Sequence, residues 1–226
     1  MQLKVIAHIH NDFADKFGVP RQSGLIDSVE SLIVFEPEYR NTDALRGIEG
    51  FSHLWLIWQF SLAVRDEWSP TVRPPRLGGN KRMGVFATRS PFRPNSLGLS
   101  SVRLLGTEHT DRWGTALRVA GADMMNGTPI FDIKPYLAYT DSHPEALGGF
   151  TDSVMRAKLT VNVDESIASD LPPSDLRTIC DILSEDPRPS YIDDPSRVYG
   201  MRYGRYEVKF TVDNNILTVT GIERAN

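Results

Sequence analysis

Residues 98–120 of the chain read GLSSVRLLGTEHTDRWGTALRVA. The apolar, β-branched runs at 98–105 and 115–120 flank a polar turn, which predicts two adjacent strands. Comparable runs at 3–9, 29–35, 51–64 and 128–133 bring the number of short strands to at least six within the first 140 residues. Little helical periodicity separates these runs, so they predict a closed or nearly closed β-barrel rather than a doubly wound sheet.

The composition changes after this first part of the chain. A linker rich in Gly, Pro and polar residues, TDSHPEALGGFTD, occupies 140–152. Beyond it we predict a strand at 157–163, a helix at 174–183 with Ser174 as its N-cap, and a hairpin around 213–215. The chain is therefore predicted to be mainly β, with a barrel domain at 1–150 and a small α+β domain at 151–226.

The length and amino-acid composition are those of an ordinary soluble protein. The 226 residues are 40% hydrophobic and 24% charged, and the lone Cys180 excludes a disulfide framework. No apolar run is long enough to cross a bilayer, and the start, MQLKVIAHIHNDF, lacks a signal-peptide pattern. We therefore expect a cytoplasmic protein with no membrane partner.

Residues 73–103 form a basic segment on an acidic protein. Between positions 68 and 103 there are seven Lys or Arg and no Asp or Glu, although the whole chain has a net charge of -4. Five prolines stiffen this stretch, and a strand predicted at 83–88 leads into its second half. The segment is interpreted as a rigid loop that holds an anion. The alternative, a solvated loop with scattered arginines, is disfavoured because no acid balances them.

Polar residues recur on the predicted loops, although the sequence has no Rossmann fingerprint, phosphate loop or G-x-S-x-G nucleophile. This set comprises Arg21, Gln22, His53, Arg89, Arg93, Asp123 and Asn126. Arginine can fork a carboxylate or phosphate, and an aspartate can accept from hydroxyls or an amine. Together the residues suggest a ligand that carries a carboxylate, hydroxyls and an aromatic base. Trp55 and Trp58, in the run at 51–64, are interpreted as core residues rather than as stacking platforms.

Five motifs occur in order along the chain: PRQ at 20–22, FSHLWL at 51–56, RPPRLGGNKRMGVFATRSPFRPNSLGLSSVRL at 73–104, DMMNGTPIFDIKPY at 123–136 and DPRPSY at 186–191. In this combination the chain resembles the TrmO/TsaA-like family, whose bacterial members are tRNA methyltransferases. The resemblance implies an S-adenosylmethionine enzyme on a non-Rossmann β-barrel. It also implies a homodimer that methylates N6 of N6-threonylcarbamoyladenosine at position 37 of tRNA, in the anticodon arm.

The resemblance also implies site residues. Its cofactor contacts fall on Pro20, Arg21, Gln22, Ser61, Leu62, Arg89, Leu99, Asp123, Met124, Met125 and Asn126. Many relatives carry His-Gln at the positions of Ser61 and Leu62, which favours backbone contacts there. Many also carry Asp in place of Asn126, and because an asparagine cannot accept a proton as a base, no proton acceptor is placed at that position.

Methyl transfer from a sulfonium is an in-line displacement, so the enzyme must chiefly align its reactants. Asp123 or His53 could accept the proton of the target nitrogen, and the sequence leaves this choice open. Arg93 or Lys134 could pair with the threonyl carboxylate. The predicted substrate contacts are Arg76, Arg93, Lys134, Tyr136 and Arg188.

Two rival functions are considered. A non-catalytic RNA-binding module would employ the basic loop 73–103 and the aromatic side chains. A metal-dependent hydrolase would use His8 and His10, which share one strand face, together with Asp12. No nearby cluster completes such a metal site, so no metal is predicted.

Overall fold

The computed structural model describes residues 2–77, 81–153, 158–188 and 194–225, with the side chain of Arg76 excepted. The strands are β1 (Ala7–His10), β2 (Glu30–Phe35), β3 (His53–Gln59), β4 (Thr71–Val72), β5 (Met83–Gly84), β6 (Leu97–Thr110), β7 (Gly114–Ala120), β8 (Pro129–Pro135), β9 (Thr160–Val163), β10 (Tyr199–Tyr203), β11 (Tyr206–Asp213) and β12 (Ile216–Arg224). The α-helices are α1 (Ala138–Asp141), α2 (Glu165–Ala168) and α3 (Pro173–Ser184). Short 3₁₀ turns lie at Pro37–Tyr39, Thr42–Leu45, Ile48–Gly50, Ser61–Ala63, Pro75–Leu77, Val85–Ala87 and Gly149–Thr151.

Six strands form a closed barrel in the order β1-β2-β7-β6-β3-β8. Every neighbouring pair is antiparallel, and β1 closes the sheet because Ala7 pairs with both Phe35 of β2 and Ile130 of β8. The mainly β class predicted from the sequence is confirmed. Antiparallel pairing brings the ends of β1, β3 and β7 and the starts of β2, β6 and β8 to one end of the barrel.

Side-chain alternation along β3 corrects the interpretation of its two tryptophans. Leu54, Leu56 and Trp58 point into the barrel, with Trp58 only 4% exposed. Trp55 lies on the other face because side chains in a strand alternate with a period of two, and it is half-buried on the barrel's outer surface. The prediction of a core residue is therefore correct for Trp58 and wrong for Trp55.

The strand predicted at 83–88 is wrong beyond Gly84. Only Met83–Gly84 pairs, with Thr71–Val72, and a 3₁₀ turn follows at Val85–Ala87. The turn forms because the backbone N–H and the hydroxyl of Thr88 both donate to the Val85 carbonyl, at 3.2 and 2.9 Å. A side chain that caps a carbonyl three residues earlier competes with strand pairing.

The second part of the chain carries a four-stranded sheet in the order β10-β11-β12-β9, with α3 beside it. The predicted hairpin is confirmed as β11 and β12, whereas the sequence reading missed β10. Helix α3 begins at Pro173 with Pro172 as its N-cap, so the predicted cap at Ser174 is wrong. Proline suits this first position because its fixed φ is already helical and its missing N–H has no helical partner there.

Two cores lie under these sheets, one inside the barrel and one between the second sheet and α3. Phe13, Ile26 and Val29, which follow β1 in sequence, pack in the second core with Ile182 and Phe210. Segment 13–29 thus leaves the barrel and is buried against the C-terminal sheet. The predicted domain boundary at residue 150 stays a prediction. In the described ranges no helix is long and apolar enough to span a bilayer.

Candidate functional site

A large cleft of about 2020 Å³ opens at the barrel end where β3 and β7 finish and β6 begins. Its walls are loop 20–23, the turn at Ser61–Ala63, the first residues of β6 and segment 123–125. Residues 86–93 of the basic segment close another side. These stretches are far apart in sequence, and the closed antiparallel sheet brings them together.

Asp123 lies at the floor of the cleft, just beyond the end of β7. The Ser100 hydroxyl donates to Asp123 Oδ1 over 2.5 Å, and the Trp58 indole N–H donates to Ser100 Oγ over 2.9 Å. Burial raises the pKa of Asp123, although the hydrogen bond from Ser100, backbone N–H groups including that of Ser23 and the charge of Arg89 oppose the rise. The result is a carboxylate that is more basic than an exposed one.

The tight packing at β6 explains a glycine of the basic segment. A Cβ at Gly98 would lie 2.2 Å from the Trp58 ring, so any side chain there would displace the indole. Gly98 thereby lets Trp58 reach Ser100. Next to it, Leu99 points out of the barrel and is 60% exposed in the cleft.

Loop 20–22 and Arg89 form one wall. Pro20 is buried, and Gln22 bridges its neighbours, because its amide nitrogen donates to the Arg21 carbonyl and its Oε1 accepts from Arg89 Nη1. The Arg21 guanidinium points the other way and donates to the carbonyls of Asp186 and Arg188, at 3.3 and 2.9 Å. Arg21 lines the cleft, yet one of its terminal nitrogens is bound to the C-terminal part of the chain.

The remaining predicted cofactor residues fall into two groups, those that line the cleft and one that stabilises a turn. Ser61, Leu62, Met124 and Met125 line the cleft, but Met124 is only 1% exposed and packs in the barrel core. Asn126 is not among the lining residues. Its Oδ1 accepts from the Asn11 backbone, and its own backbone N–H donates to the Phe13 carbonyl, so it stabilises a turn.

Three predicted residues lie toward the opposite end of the barrel. His53 is the first residue of β3 and hydrogen-bonds the Ser52 hydroxyl through Nδ1 at 2.9 Å. Lys134, near the end of β8, pairs with Asp132 at 3.0 Å, and Tyr136 follows β8. None of the three lines the cleft. The structure therefore does not bring His53 and Asp123 together, because β3 runs the length of the barrel between them.

Two predicted substrate arginines are engaged within the protein. Arg93 lines the cleft, but its Nη1 donates to the carbonyls of Thr88 and Val85, at 2.8 and 3.4 Å. Arg188 is 9% exposed and forks the Asp186 carboxylate at 2.8 and 3.0 Å. Both side chains hold backbone turns in place. The third, Arg76, has a side chain outside the described part of the structure.

The sequence reading missed Arg65, which lies in the cleft wall above Phe92. The guanidinium carbon of Arg65 is 3.8 Å from the centre of the Phe92 ring. Stacking covers one face of the guanidinium and leaves its in-plane N–H donors available. No local signal marks Arg65, because its aromatic partner is distant in sequence. Ser100 was missed for the same reason.

The cleft is strongly positive. The described side chains that line it include the cations Lys16, Arg21, Arg65, Arg73, Arg82, Arg89 and Arg93 but only two acids, Glu67 and Asp123. On a chain of net charge -4 this concentrates positive potential at one opening. The arrangement suits an anionic ligand and sets a single buried carboxylate behind the cations. Across the described ranges, no three His, Cys, Asp or Glu side chains are grouped to hold a metal ion.

A closed antiparallel barrel with a cationic end cleft and an appended sheet defines a class: two-part, mainly β proteins that bind anionic ligands without a Rossmann domain. Family models narrow this class, since the tRNA-methyltransferase O N-terminal domain matches residues 8–142 and the TrmO C-terminal domain matches residues 156–225. The chain belongs to the tRNA-methyltransferase O family, which confirms the resemblance inferred from the motifs.

Individual relatives agree along the whole chain. The tRNA (adenine(37)-N6)-methyltransferase of Escherichia coli K12 is 37% identical over 231 residues, covering 98% of this chain and 97% of the relative. A putative S-adenosylmethionine-dependent methyltransferase of Pseudomonas aeruginosa is 38% identical over 207 residues, covering 87% and 86%. The crystal structure of TrmO from Pseudomonas aeruginosa superposes with a TM-score of 0.78 at 29% identity, covering 99% of this chain and 98% of that one.

Proposed function

We propose that this protein is an S-adenosylmethionine-dependent tRNA methyltransferase that methylates N6 of adenine 37, and that this adenine carries a threonylcarbamoyl group. The first part is supported by the family and by the names of its relatives. The second part rests on the cations of the cleft, since the threonyl group adds a carboxylate to the base. We place this reaction in the cytoplasm.

The residues of the cleft fit the cofactor. Asp123 offers carboxylate oxygens to an amine or to ribose hydroxyls, and Arg89, fixed by Gln22, offers a cation to the cofactor's carboxylate. The exposed side chains of Leu62 and Leu99 provide apolar surface for an adenine ring. When bound there, S-adenosylmethionine supplies an electrophilic methyl group, and the protein's task is alignment.

Asp123 is the proton acceptor in this proposal. The lone pair of the target nitrogen is delocalised into the purine and the carbamoyl group, so removal of its proton makes it a stronger nucleophile. Burial raises the pKa of Asp123, and a carboxylate of higher pKa is a better general base. Of the two acceptors left open by the sequence, Asp123 faces the cleft and His53 does not.

Arg65 is the proposed partner of the threonyl carboxylate. Arg93 is engaged by backbone carbonyls and Lys134 lies outside the cleft, paired with Asp132. Arg65 is exposed, and stacking on Phe92 restricts its orientation. A planar guanidinium held in this way can donate two parallel hydrogen bonds to a carboxylate.

The outer face of the barrel provides a path for the rest of the anticodon loop. Trp55, at the cleft wall, lies 5.5 Å from Tyr136 between ring centres, and Tyr136 lies 6.1 Å from His53. Lys134 is exposed beside this row and is the β8 partner of Trp55. Unstacked RNA bases bind to such aromatic rows, while nearby cations bind phosphates. We place bases that neighbour the target here, with the basic loop 73–103 on the phosphates.

A second copy of the chain is the proposed cover of the cleft rim. Apart from Leu62 and Leu99, three apolar side chains at or next to the opening are exposed: Val64 at 58%, Trp68 at 53% and Phe86 at 73%. Trp68 and Phe86 stack on each other at 6.1 Å, exposed apolar side chains grouped in this way are typical of an interface, and a homodimer would bury them. A cover would also exclude water from the reacting atoms.

The rival proposal is an RNA-binding module without catalysis. The observation that favours the enzyme is Asp123, a buried carboxylate at the floor of a cationic cleft. A pure phosphate-binding surface gains nothing from such an acid, because it repels phosphate. Saturating S-adenosylmethionine should raise the melting temperature, since a ligand at 100 times its Kd stabilises the native state by about 2.7 kcal/mol. An unmoved melting curve would favour the binding module.

Nucleoside analysis tests the reaction itself. In tRNA from a strain that lacks the gene, N6-methylated threonylcarbamoyladenosine should be absent and the unmethylated form should accumulate. Reintroduction of the wild-type chain should restore the methylated nucleoside, whereas the Asp123→Asn variant should not. If the strain instead lacked the methyl group on unmodified adenine 37, the proposed methyltransferase activity would stand. The proposal that the substrate carries a threonylcarbamoyl group would be wrong.

A further inference from the structure

We propose that Arg21 is a positioning residue through which the C-terminal part of the chain sets the affinity of the cleft for S-adenosylmethionine. This inference rests on the proposed function. The family resemblance places Arg21 among direct cofactor contacts. Its hydrogen bonds point elsewhere, because Nη2 donates to two carbonyls of the segment after α3.

The loop that carries Arg21 contacts the C-terminal part of the chain as well as the barrel, to which the backbone N–H of Gly24 donates at Gly121. The Phe17 ring packs against Phe210 of β11, with ring centres 6.4 Å apart. At Gly18 the backbone comes so close to β10 that an added Cβ would lie 2.8 Å from Met201 Sδ. Gly18 also has a φ of +96°, which favours glycine. The underside of the loop is therefore shaped by the second sheet.

The acceptors of Arg21 are themselves fixed. Arg188 is buried and forks the carboxylate of Asp186 through Nε and Nη2. Its backbone N–H also donates to Asp186 Oδ1 over 3.3 Å, and Asp186 has a φ of +51°. These hydrogen bonds constrain the turn and the two carbonyls that accept from the Arg21 guanidinium. Arg188, expected to contact substrate, serves here to hold that turn.

On its other side Arg21 leads into the cleft. Its own carbonyl accepts from the Gln22 amide, and Gln22 Oε1 accepts from Arg89. The chain of contacts thus runs from Arg188 through Arg21 and Gln22 to Arg89, the cation proposed for the cofactor's carboxylate. If the hydrogen bonds of Arg21 to the turn are removed, the side chains of Gln22 and Arg89 are no longer held in one orientation. More conformational entropy must then be lost when the cofactor binds.

Calorimetric titration of the full-length protein with S-adenosylmethionine, without tRNA, tests this chain of contacts. Arg21→Ala and Arg188→Ala should each raise the Kd about tenfold, the size expected when hydrogen bonds from a charged donor are lost. The double variant should bind no more weakly than the weaker single variant, because both changes break one link. Arg21→Lys, which keeps a donor, should recover part of the affinity.

Ser28→Ala is the matched control. The Ser28 hydroxyl donates to Asp181 of α3 over 2.6 Å, so it joins the same two parts of the chain away from the cleft. This variant should lower the melting temperature and leave the Kd unchanged. If Ser28→Ala and Arg21→Ala raised the Kd equally, Arg21 would act only by holding the two parts of the chain together. That result would overturn the inference.

Two further results would overturn the inference while leaving the proposed function intact. A normal Kd for Arg188→Ala beside a raised Kd for Arg21→Ala would make Arg21 a direct cofactor contact. A wild-type Kd for both variants would show that neither Arg21 nor Arg188 affects cofactor binding. Should Arg188→Ala not fold, Asp186→Asn breaks the same fork with a smaller change and takes its place. Failure of the wild type to bind S-adenosylmethionine would instead overturn the proposed function, and this inference with it.

Discussion

The Ser100 hydroxyl accepts the indole N–H of Trp58 and donates to Asp123 Oδ1, because an ionised carboxylate can only accept. An indole nitrogen can only donate, so the direction of this chain of hydrogen bonds is fixed. Asp123 in its charged form therefore accepts a hydrogen bond from the Ser100 hydroxyl. The contact holds the carboxylate in one orientation at the floor of the cleft and favours its charged form.

Removal of the Ser100 hydroxyl should impair catalysis and change its pH dependence. In Ser100→Ala the rate should fall about 10- to 100-fold, as expected for the loss of a hydrogen bond to a charged group. The hydrogen bond from Ser100 lowers the pKa of Asp123, so without it the acid limb of the pH–rate profile should move to higher pH. Ser31→Ala, a buried serine of the same barrel, should keep the wild-type profile. An unshifted acid limb in Ser100→Ala would exclude Asp123 as the base.

Asp123→Asn should inactivate the enzyme yet stabilise its fold at neutral pH. Because burial raises the pKa of Asp123, the folded protein keeps this proton at pH values where the unfolded chain, near 3.8, has lost it. The stability contributed by the protonated carboxyl is full below the unfolded pKa and is lost as the pH rises through the folded pKa. The neutral amide avoids this loss. Each kcal/mol gained should raise the melting temperature by about 2–4 °C.

The control for this pH dependence is Asp132→Asn, a carboxylate that is half-exposed beside Lys134. Melting curves of wild type and both variants between pH 4 and pH 8 provide the comparison. The advantage of Asp123→Asn over wild type should grow with pH, and Asp132→Asn shows the effect of removing a surface carboxylate from its ion pair with Lys134. A constant difference at all pH values would show that Asp123 titrates alike in the folded and unfolded chains.

Arg65→Ala should remove the preference for the threonylcarbamoyl group. We expect wild-type protein to bind an anticodon stem-loop with threonylcarbamoyladenosine at least about tenfold more tightly than one with plain adenosine, from a charged pair of hydrogen bonds. In the variant this ratio should fall toward one. Arg46→Ala, an exposed arginine paired with Asp43, is the control and should keep the ratio. An equal loss of affinity for both RNAs, with a smaller salt dependence, would mark a phosphate contact instead.

Phe86→Asp should dissociate the proposed homodimer. Phe86 is 73% exposed, stacks on Trp68 at 6.1 Å and contributes to the apolar rim of the cleft. A charge introduced there would have to be buried at the interface, at a cost of several kcal/mol. Sedimentation should show a dimer for wild type and a monomer for the variant. Val198→Asp, which alters an apolar residue 59% exposed on the C-terminal part, should leave the dimer intact.

Affinity for tRNA should depend steeply on salt through the basic segment and through Arg202 on the C-terminal part of the chain. Arg73 is exposed at the cleft and Arg202 is exposed on β10. Each neutralised phosphate contributes about one unit to the slope of log K against log salt, so each Arg→Ala variant should lower the slope by about one. The Arg46→Ala variant should retain the full slope. If Arg73→Ala keeps both affinity and slope, the cleft cations bind the cofactor and the modified base rather than the RNA backbone.

The sequence by itself determined the class of fold, the final hairpin and the family. Strand alternation and turn residues are local properties, so closely spaced runs such as 98–105 and 115–120 indicate adjacent antiparallel strands. The family resemblance predicted cofactor contacts at PRQ, 20–22, and at DMMN, 123–126, and these residues line the cleft except for Asn126. The sequence also reduced the candidate bases to Asp123 and His53.

Only the tertiary structure decided which of these residues meet. Barrel closure places Asp123 beside Ser100 and Arg89, while the length of β3 keeps His53 away from them. It also showed that Arg21 and Arg93 donate to backbone carbonyls. Every residue carries the same carbonyl group, so such acceptors leave no mark in the sequence. Charge and spacing can therefore nominate an arginine, and its role depends on which carbonyls, rings or carboxylates the folded chain brings within reach.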